Sequence, residues 1–240
     1  MKARNFIVSV AVSFLCSCSL IDKWSPGETE VRTVQITNSF EDINIDNIFE
    51  ITLIQDENSY VDIICGCNFQ SKVDVKVEDN TLILDHSIKN RWLNGYDKVK
   101  LELHLPTLST INIHKPIKIE TVGTFKTDSF YLIDWSDYSD CNVSVEVNNL
   151  AIHTSGDSFG TYIITGKTNT STIYGRGSAK IDCSALQTET CEYYQKSIVD
   201  ASINVGNQFD VQIESSGNVY YSGSPNISLV RSGSGKLIQN

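Results

Sequence analysis

The chain has 240 residues, 40% of them hydrophobic and 20% charged, with a formal net charge of −10 at pH 7. Ile and Val in alternating runs with only 4 prolines argue against disorder, and no heptad or long amphipathic period supports a helical fold. An acidic body without basic clusters is repelled by phosphate backbones, which excludes nucleic acid as a partner.

Residues 1–17 read as a signal peptide. Lys2 and Arg4 precede an apolar stretch at 6–15 that has the length of a signal h-region and is too short to span a bilayer as a helix. Leu15-Cys16-Ser17-Cys18 then resembles the bacterial lipobox, with Leu15 three places before Cys18 and small Ser17 directly before it. That resemblance implies cleavage before Cys18, a lipid on Cys18, and attachment to the membrane through it. The expected location is the cell envelope, as an outer-membrane lipoprotein. Loss of Lys2 and Arg4 would take the net charge from −10 to −12. Residues 18–30 are a tether, broken at Pro26-Gly27.

Residues 31–240 are expected to form one domain. In its first part, 31–105, apolar alternation predicts strands at 31–37, 43–45, 49–53, 60–64, 73–77, 81–84 and 99–105, with a polar loop at 89–97 carrying Trp92 and Tyr96. In its second part, 106–240, the sequence repeats about every 20 residues. An apolar anchor recurs at Ile113, Ile133, Ile152, Ile173, Tyr193, Ile213 and Val230, at spacings of 20, 19, 21, 20, 20 and 17. Small or Gly-rich stretches follow several anchors, as at Ser155-Gly156-Asp157 and Ser215-Ser216-Gly217. A unit this short cannot bury a hydrophobic face alone, but stacked units bury a continuous one. The period therefore predicts an all-β solenoid of about 20-residue rungs, with the N-terminal half packing on or continuing the stack.

Five cysteines remain beyond the leader: Cys65, Cys67, Cys141, Cys183 and Cys191. An odd number cannot pair fully within one chain. Cys65-Gly66-Cys67 would set two thiols on one side of a strand, but zinc needs two more ligands that the local sequence does not supply. Buried thiols, no metal and no cofactor are the expectation. Among acidic residues, Asp134, Asp137 and Asp140 beside Trp135 and Tyr138 form the densest group, but 137 differs in parity from the other two, so a solvated turn is expected. The sequence has no nucleophile elbow, zinc-protease helix or P-loop, and the chain is not expected to be an enzyme. The residue after each anchor should face outward, giving a column His114, Asp134, His153, Tyr174, Tyr194, Glu214 and Arg231. With rungs about 4.8 Å apart, Tyr174 and Tyr194 lie side by side with Trp135 near the same edge. Trp135, His153, Tyr174 and Tyr194 are thus the candidate binding residues, for a glycan or a surface protein. The same stacking could instead serve the sheet alone. An envelope scaffold whose exposed rung edge recruits partners, and a polysaccharide-active enzyme, are the alternatives.

Several segments resemble one family. Phe40-Glu-Asp-Ile-Asn-Ile, Phe49-Glu-Ile-Thr-Leu-Ile-Gln, residues 73–77 with Asp79-Asn-Thr-Leu, and Leu105-Pro-Thr-Leu are similar to the bacterial head GIN domain family, as are Ser215-Ser-Gly-Asn-Val-Tyr-Tyr-Ser-Gly and Ser232-Gly-Ser-Gly-Lys-Leu. The resemblance covers residues 34–237 and implies a right-handed β-helix with an adhesion label, common among Bacteroidetes lipoproteins, and no enzymatic site. His114-Lys115-Pro116, Asp134-Trp135-Ser136 and Gln195-Lys196-Ser197 stand where the family tends to repeat Ser-Gly-Ser-Gly, which implies bulkier middle turns.

Overall fold

In the computed structural model of the chain, residues 25–89 and 98–240 are described; Cys18, Trp92 and Tyr96 lie outside them. Parallel strands stack into two broad sheets, A and B, that face each other across a shared apolar core. Sheet A holds, in stacking order, β6 (Thr81–His86), β2 (Asp42–Ile45), β8 (Thr110–Ile113) and β11 (Ser129–Asp134). Sheet B holds β7 (Lys100–Leu105), β3 (Glu50–Gln55) and β9 (Ile117–Val122). From there β12 (Ser139–His153), β13 (Thr161–Gly177), β14 (Lys180–Ser197) and β15 (Ala201–Ile213) each run through sheet B, round a corner and into sheet A. β16 (Val219–Ser222) and β17 (Asn226–Arg231) follow, then β18 (Leu237–Gln239). The short β10 (Phe125–Lys126) pairs beside β12 on a third, narrow side. This is a β-solenoid.

Rungs do not stack in chain order at the N-terminal end. The β2–β3 rung sits between β6–β7 and β8–β9, so residues 42–55 pair with partners up to 68 positions away. The end of the stack is closed by antiparallel strands: β5 (Val73–Glu78) lies along β6, while β4 (Tyr60–Gly66) lies along β7 and β1 (Thr29–Gln35) along β4. Antiparallel pairing satisfies an edge that would otherwise template another chain. A short helical turn, α1 (Cys67–Gln70), plugs this cap, with buried Phe69 and with Gln70 Nε2 donating to the carbonyls of Glu30 (2.7 Å) and Ile63 (3.1 Å).

The register revises the anchor column. The stacked inward positions are Ile43, Ile111, Leu132, Ile152, Ile173, Tyr193, Val211 and Leu229. Ile152, Ile173 and Tyr193 share it as expected, whereas Ile133 pairs with Asn112 and His153 on the outer face. Ile113 and Ile213 belong to the next inward column, and Val230 pairs with Gln212 outside. Phe130-Tyr131-Leu132-Ile133 is apolar at four successive places, so either parity fits the period, and packing decides in favour of Phe130 and Leu132, both 0% exposed.

The next inward column is polar where the chain turns between sheets: Asp134, Thr154, Gly175 and Gln195. Asp134 is 1% exposed, not solvated. It accepts the Ser136 backbone N–H at 2.7 Å and the Tyr162 hydroxyl at 2.6 Å. Thr154 Oγ1 accepts the Arg176 N–H at 2.8 Å, and Gln195 Nε2 donates to the Val199 carbonyl at 2.8 Å. These side chains satisfy turn backbone, whereas in the Ser232–Gly235 turn the N–H groups of Gly233 and Gly235 bond to the Ile213 and Ser215 carbonyls of the preceding rung. At the opposite corner Asn148 donates to Asp128 (2.6 Å) and Asn169 donates to Asn148 (2.8 Å), a ladder running along the stack. Gly166 takes φ +105° there, and a Cβ would lie 2.0 Å from the Val145 carbonyl oxygen. Only glycine fits.

Candidate recognition face

Alternation along sheet A puts every second side chain outside, and the parallel register aligns these into columns. The central outward column is Asn44, Asn112, Ile133, His153, Tyr174, Tyr194, Gln212 and Val230. Three of the expected members, His153, Tyr174 and Tyr194, are in it. Asp134 is not, because it points into the core, and Ile133 takes its place; His114 and Glu214 lie two residues beyond the column members Asn112 and Gln212, and Arg231 pairs with Ile213. Tyr131 and Ala151 flank Ile133 and His153 in the adjacent column. The sequence signal that locates Tyr131 and Ile133 outside is their parity relative to Leu132, readable only once the inward column is fixed.

Tyr174 and Tyr194 stack with ring centroids 4.2 Å apart and planes within 2°. The edge of His153 meets the Tyr174 ring at 4.6 Å and 81°. Arg176 Cζ lies 5.3 Å from the same ring, a cation–π contact. Hydrogen bonding with the Tyr174 hydroxyl, and then burial, push the Tyr194 hydroxyl up from its ordinary pKa. Burial, and then the Arg176 charge, hold the His153 imidazole below its ordinary value. Trp135 is 63% exposed in the flanking column, one place beyond Asp134, with its backbone N–H donating to the Ile113 carbonyl at 2.8 Å. Among the described residues it makes no ring contact with either tyrosine. The face therefore carries a cluster of half-buried aromatic and apolar groups, with Arg176 and Lys196 along one side and Glu192 and Asp210 along the other.

No catalytic constellation emerges from the acidic segment. Asp134 faces the core, Asp137 is exposed in the turn, and Asp140 lies on the outer side of sheet B between Lys118 and Thr161. Cys65-Gly66-Cys67 does not present paired thiols either: Cys65 is buried at the end of β4, while Cys67 opens α1. Among the described residues no cysteine forms a disulfide. Burial drives the Cys141 and Cys183 thiols well above their ordinary pKa and Cys191 to about 12.

Among solved structures, the chain is similar to an adhesin-like protein from Bacteroides fragilis, described as a putative adhesin, at 20% identity and TM-score 0.77, over 89% of this chain and 97% of the other. A putative adhesin from Parabacteroides merdae matches at 15% identity and TM-score 0.62, over 90% and 98%. A protein from Parabacteroides distasonis described as a putative lipid binding protein matches at 17% and 0.53, over 89% and 97%. At these identities the likeness establishes the solenoid fold. No curated protein matches the chain. A family label of adhesin denotes a cell-surface or envelope protein, and among the described residues no helix is long and apolar enough to cross a membrane. The family model described as "Putative auto-transporter adhesin, head GIN domain" matches residues 39–225, and the chain belongs to that family.

Proposed function

We propose that the chain is a non-catalytic lipoprotein of the cell envelope, held by a lipid on Cys18, and that the outer face of sheet A recognises a glycan. The observation that supports this most is the cross-rung column His153, Tyr174 and Tyr194, with exposed Trp135 two rungs before Tyr174 on the same face. The two tyrosine rings cover one another, so they present edges and hydroxyls outward. Trp135 is then the platform for the apolar face of a sugar ring, and the tyrosine hydroxyls, His153 and Arg176 are the hydrogen-bonding groups for its hydroxyls. Glycan-array and whole-cell binding test this reading. Tyr174→Ala/Tyr194→Ala and Trp135→Ala should each abolish binding while the far-UV spectrum stays unchanged; retained binding in both would overturn it.

A second reading, an envelope scaffold, is favoured by β17. All six of its residues are exposed, with Ile227, Leu229 and Val230 at 42%, 46% and 60%. Such a strand offers unpaired backbone groups to a partner. Light scattering after size exclusion separates the two readings: self-association lost on Leu229→Lys supports the scaffold, and a strict monomer rejects self-assembly.

A further inference from the structure

The antiparallel cap brings together side chains that lie 40 residues apart in sequence. Asp62 on β4 pairs directly with Glu102 on β7, and Tyr60 pairs with His104. Strand alternation then puts Asp62, Glu102 and His104 on one outer face, where a carboxylate oxygen of each acid and a ring nitrogen of His104 lie within 4.8 Å of one another. All three residues are half-buried.

Two features distinguish this cluster from a chance group of surface acids. First, two like charges directly opposite each other across a strand pair are destabilising. Yet among the described residues no lysine or arginine forms an ion pair with Asp62 or Glu102; the nearby Lys98 and Lys100 are drawn to Glu50 instead. Asp62 accepts a hydrogen bond from the Thr33 hydroxyl, which fixes the carboxylate without neutralising it. Second, the imidazole has a further carboxylate and an aromatic ring against it. Asp56 Oδ2 stands 3.4 Å from His104 Nδ1, and the Tyr60 ring stacks on the imidazole at 4.0 Å and 11°. In metal sites a carboxylate against the outer nitrogen of a histidine orients the imidazole; here Asp56 stands at ion-pair distance, without a hydrogen bond on Nδ1. Asp56 is itself fixed by the Asn58 N–H at 3.0 Å.

We propose that Asp62, Glu102 and His104 form a zinc-binding site that clamps the cap strand β4 to the terminal rung strand β7. With Nδ1 facing Asp56, Nε2 is the nitrogen left for the ion. One imidazole and two carboxylates suit zinc, which takes three protein ligands and a water in tetrahedral geometry. Calcium, which prefers a larger set of oxygens, fits this donor set poorly. Tetrahedral bonds of about 2.0 Å set ligand atoms roughly 3.3 Å apart, so the three groups close from within 4.8 Å by side-chain rotation.

The test is calorimetric titration of the purified full chain with zinc chloride in excess calcium, read beside thermal unfolding. One zinc per chain is expected, with a higher unfolding temperature in zinc. Glu102→Gln and His104→Gln should weaken binding by more than about tenfold, and Asp56→Asn by roughly ten- to a hundredfold. His114→Gln, which alters the exposed His114–Asp46 pair, should leave binding unchanged. Asp62→Asn should abolish binding and, without zinc, raise the unfolding temperature because the like-charge pair is relieved. Zinc binding that is absent, or that survives both Glu102→Gln and His104→Gln, overturns the proposal, as does a loss confined to His114→Gln.

Discussion

Asp134 shows how little a residue's type says about its exposure in this fold. It was legible as part of an acidic turn, but not as a buried acceptor, because the Tyr162 hydroxyl that meets it lies 28 positions later. Removing its side chain leaves the Ser136 N–H unpaired inside the molecule, at about 1–3 kcal/mol, and leaves the Tyr162 hydroxyl with Ser158 as its remaining partner. Asp134→Ala should therefore lower the urea midpoint clearly, and Asp137→Ala, in the exposed part of the turn, should leave it nearly unchanged. His153 makes a pH prediction. Its folded pKa is depressed by burial and Arg176, so the unfolded chain binds the proton more readily. Stability from this residue is fully present above its unfolded value, about 6.5, and is lost as pH falls through the lower folded value. Urea midpoints measured from about pH 7.5 down to about pH 5 should fall less steeply in His153→Gln than in the parent. The thiols give a third check. Cys141, Cys183 and Cys191 are buried with raised pKa values, while Cys67 is partly exposed, so among these four maleimide should label Cys67 alone in the folded protein.

At the scale of elements, the strands of 31–105 were legible from alternation almost to the residue, but their partners were not. Alternation is a local property, whereas the placing of β2–β3 between β6–β7 and β8–β9 depends on contacts across as many as 68 positions. The same limit hid the Asp62–Glu102–His104 cluster, since an antiparallel register joins what no local motif connects. Corners carry their own constraint. Gly166 sits at the register shift between β13 and β14 with φ +105° and no room for a Cβ. Gly223 repeats the device at φ +101°, with a Cβ 2.0 Å from the Val205 carbonyl oxygen. Gly166→Ala should cost at least about 1–3 kcal/mol of backbone strain plus the displacement of the neighbouring rung. The loss would be read as a lower urea midpoint at an unchanged slope.

The whole molecule is a stack whose two ends differ: antiparallel strands close the N-terminal end, while β17 is exposed at all six positions. In such a quasi-one-dimensional array each rung is stabilised by its neighbours, so amides of β12–β14 should exchange slowest and those of β17 fastest. The period of about 20 residues made the stack legible because a buried column must recur once per rung. What it could not fix was parity within a rung, and parity decides which residues reach the recognition face. Ile133 and Leu132 separate the two assignments. Leu132 is 0% exposed between Ile111 and Ile152, while Ile133 lies outside between Asn112 and His153. The decisive measurement is the pair of urea unfolding curves for Leu132→Ala and Ile133→Ala. The stack described here predicts a loss of about 2–5 kcal/mol for Leu132→Ala and well under half of that for Ile133→Ala. Equal losses, or the larger loss at Ile133, would contradict the register and with it the face that carries Tyr174 and Tyr194.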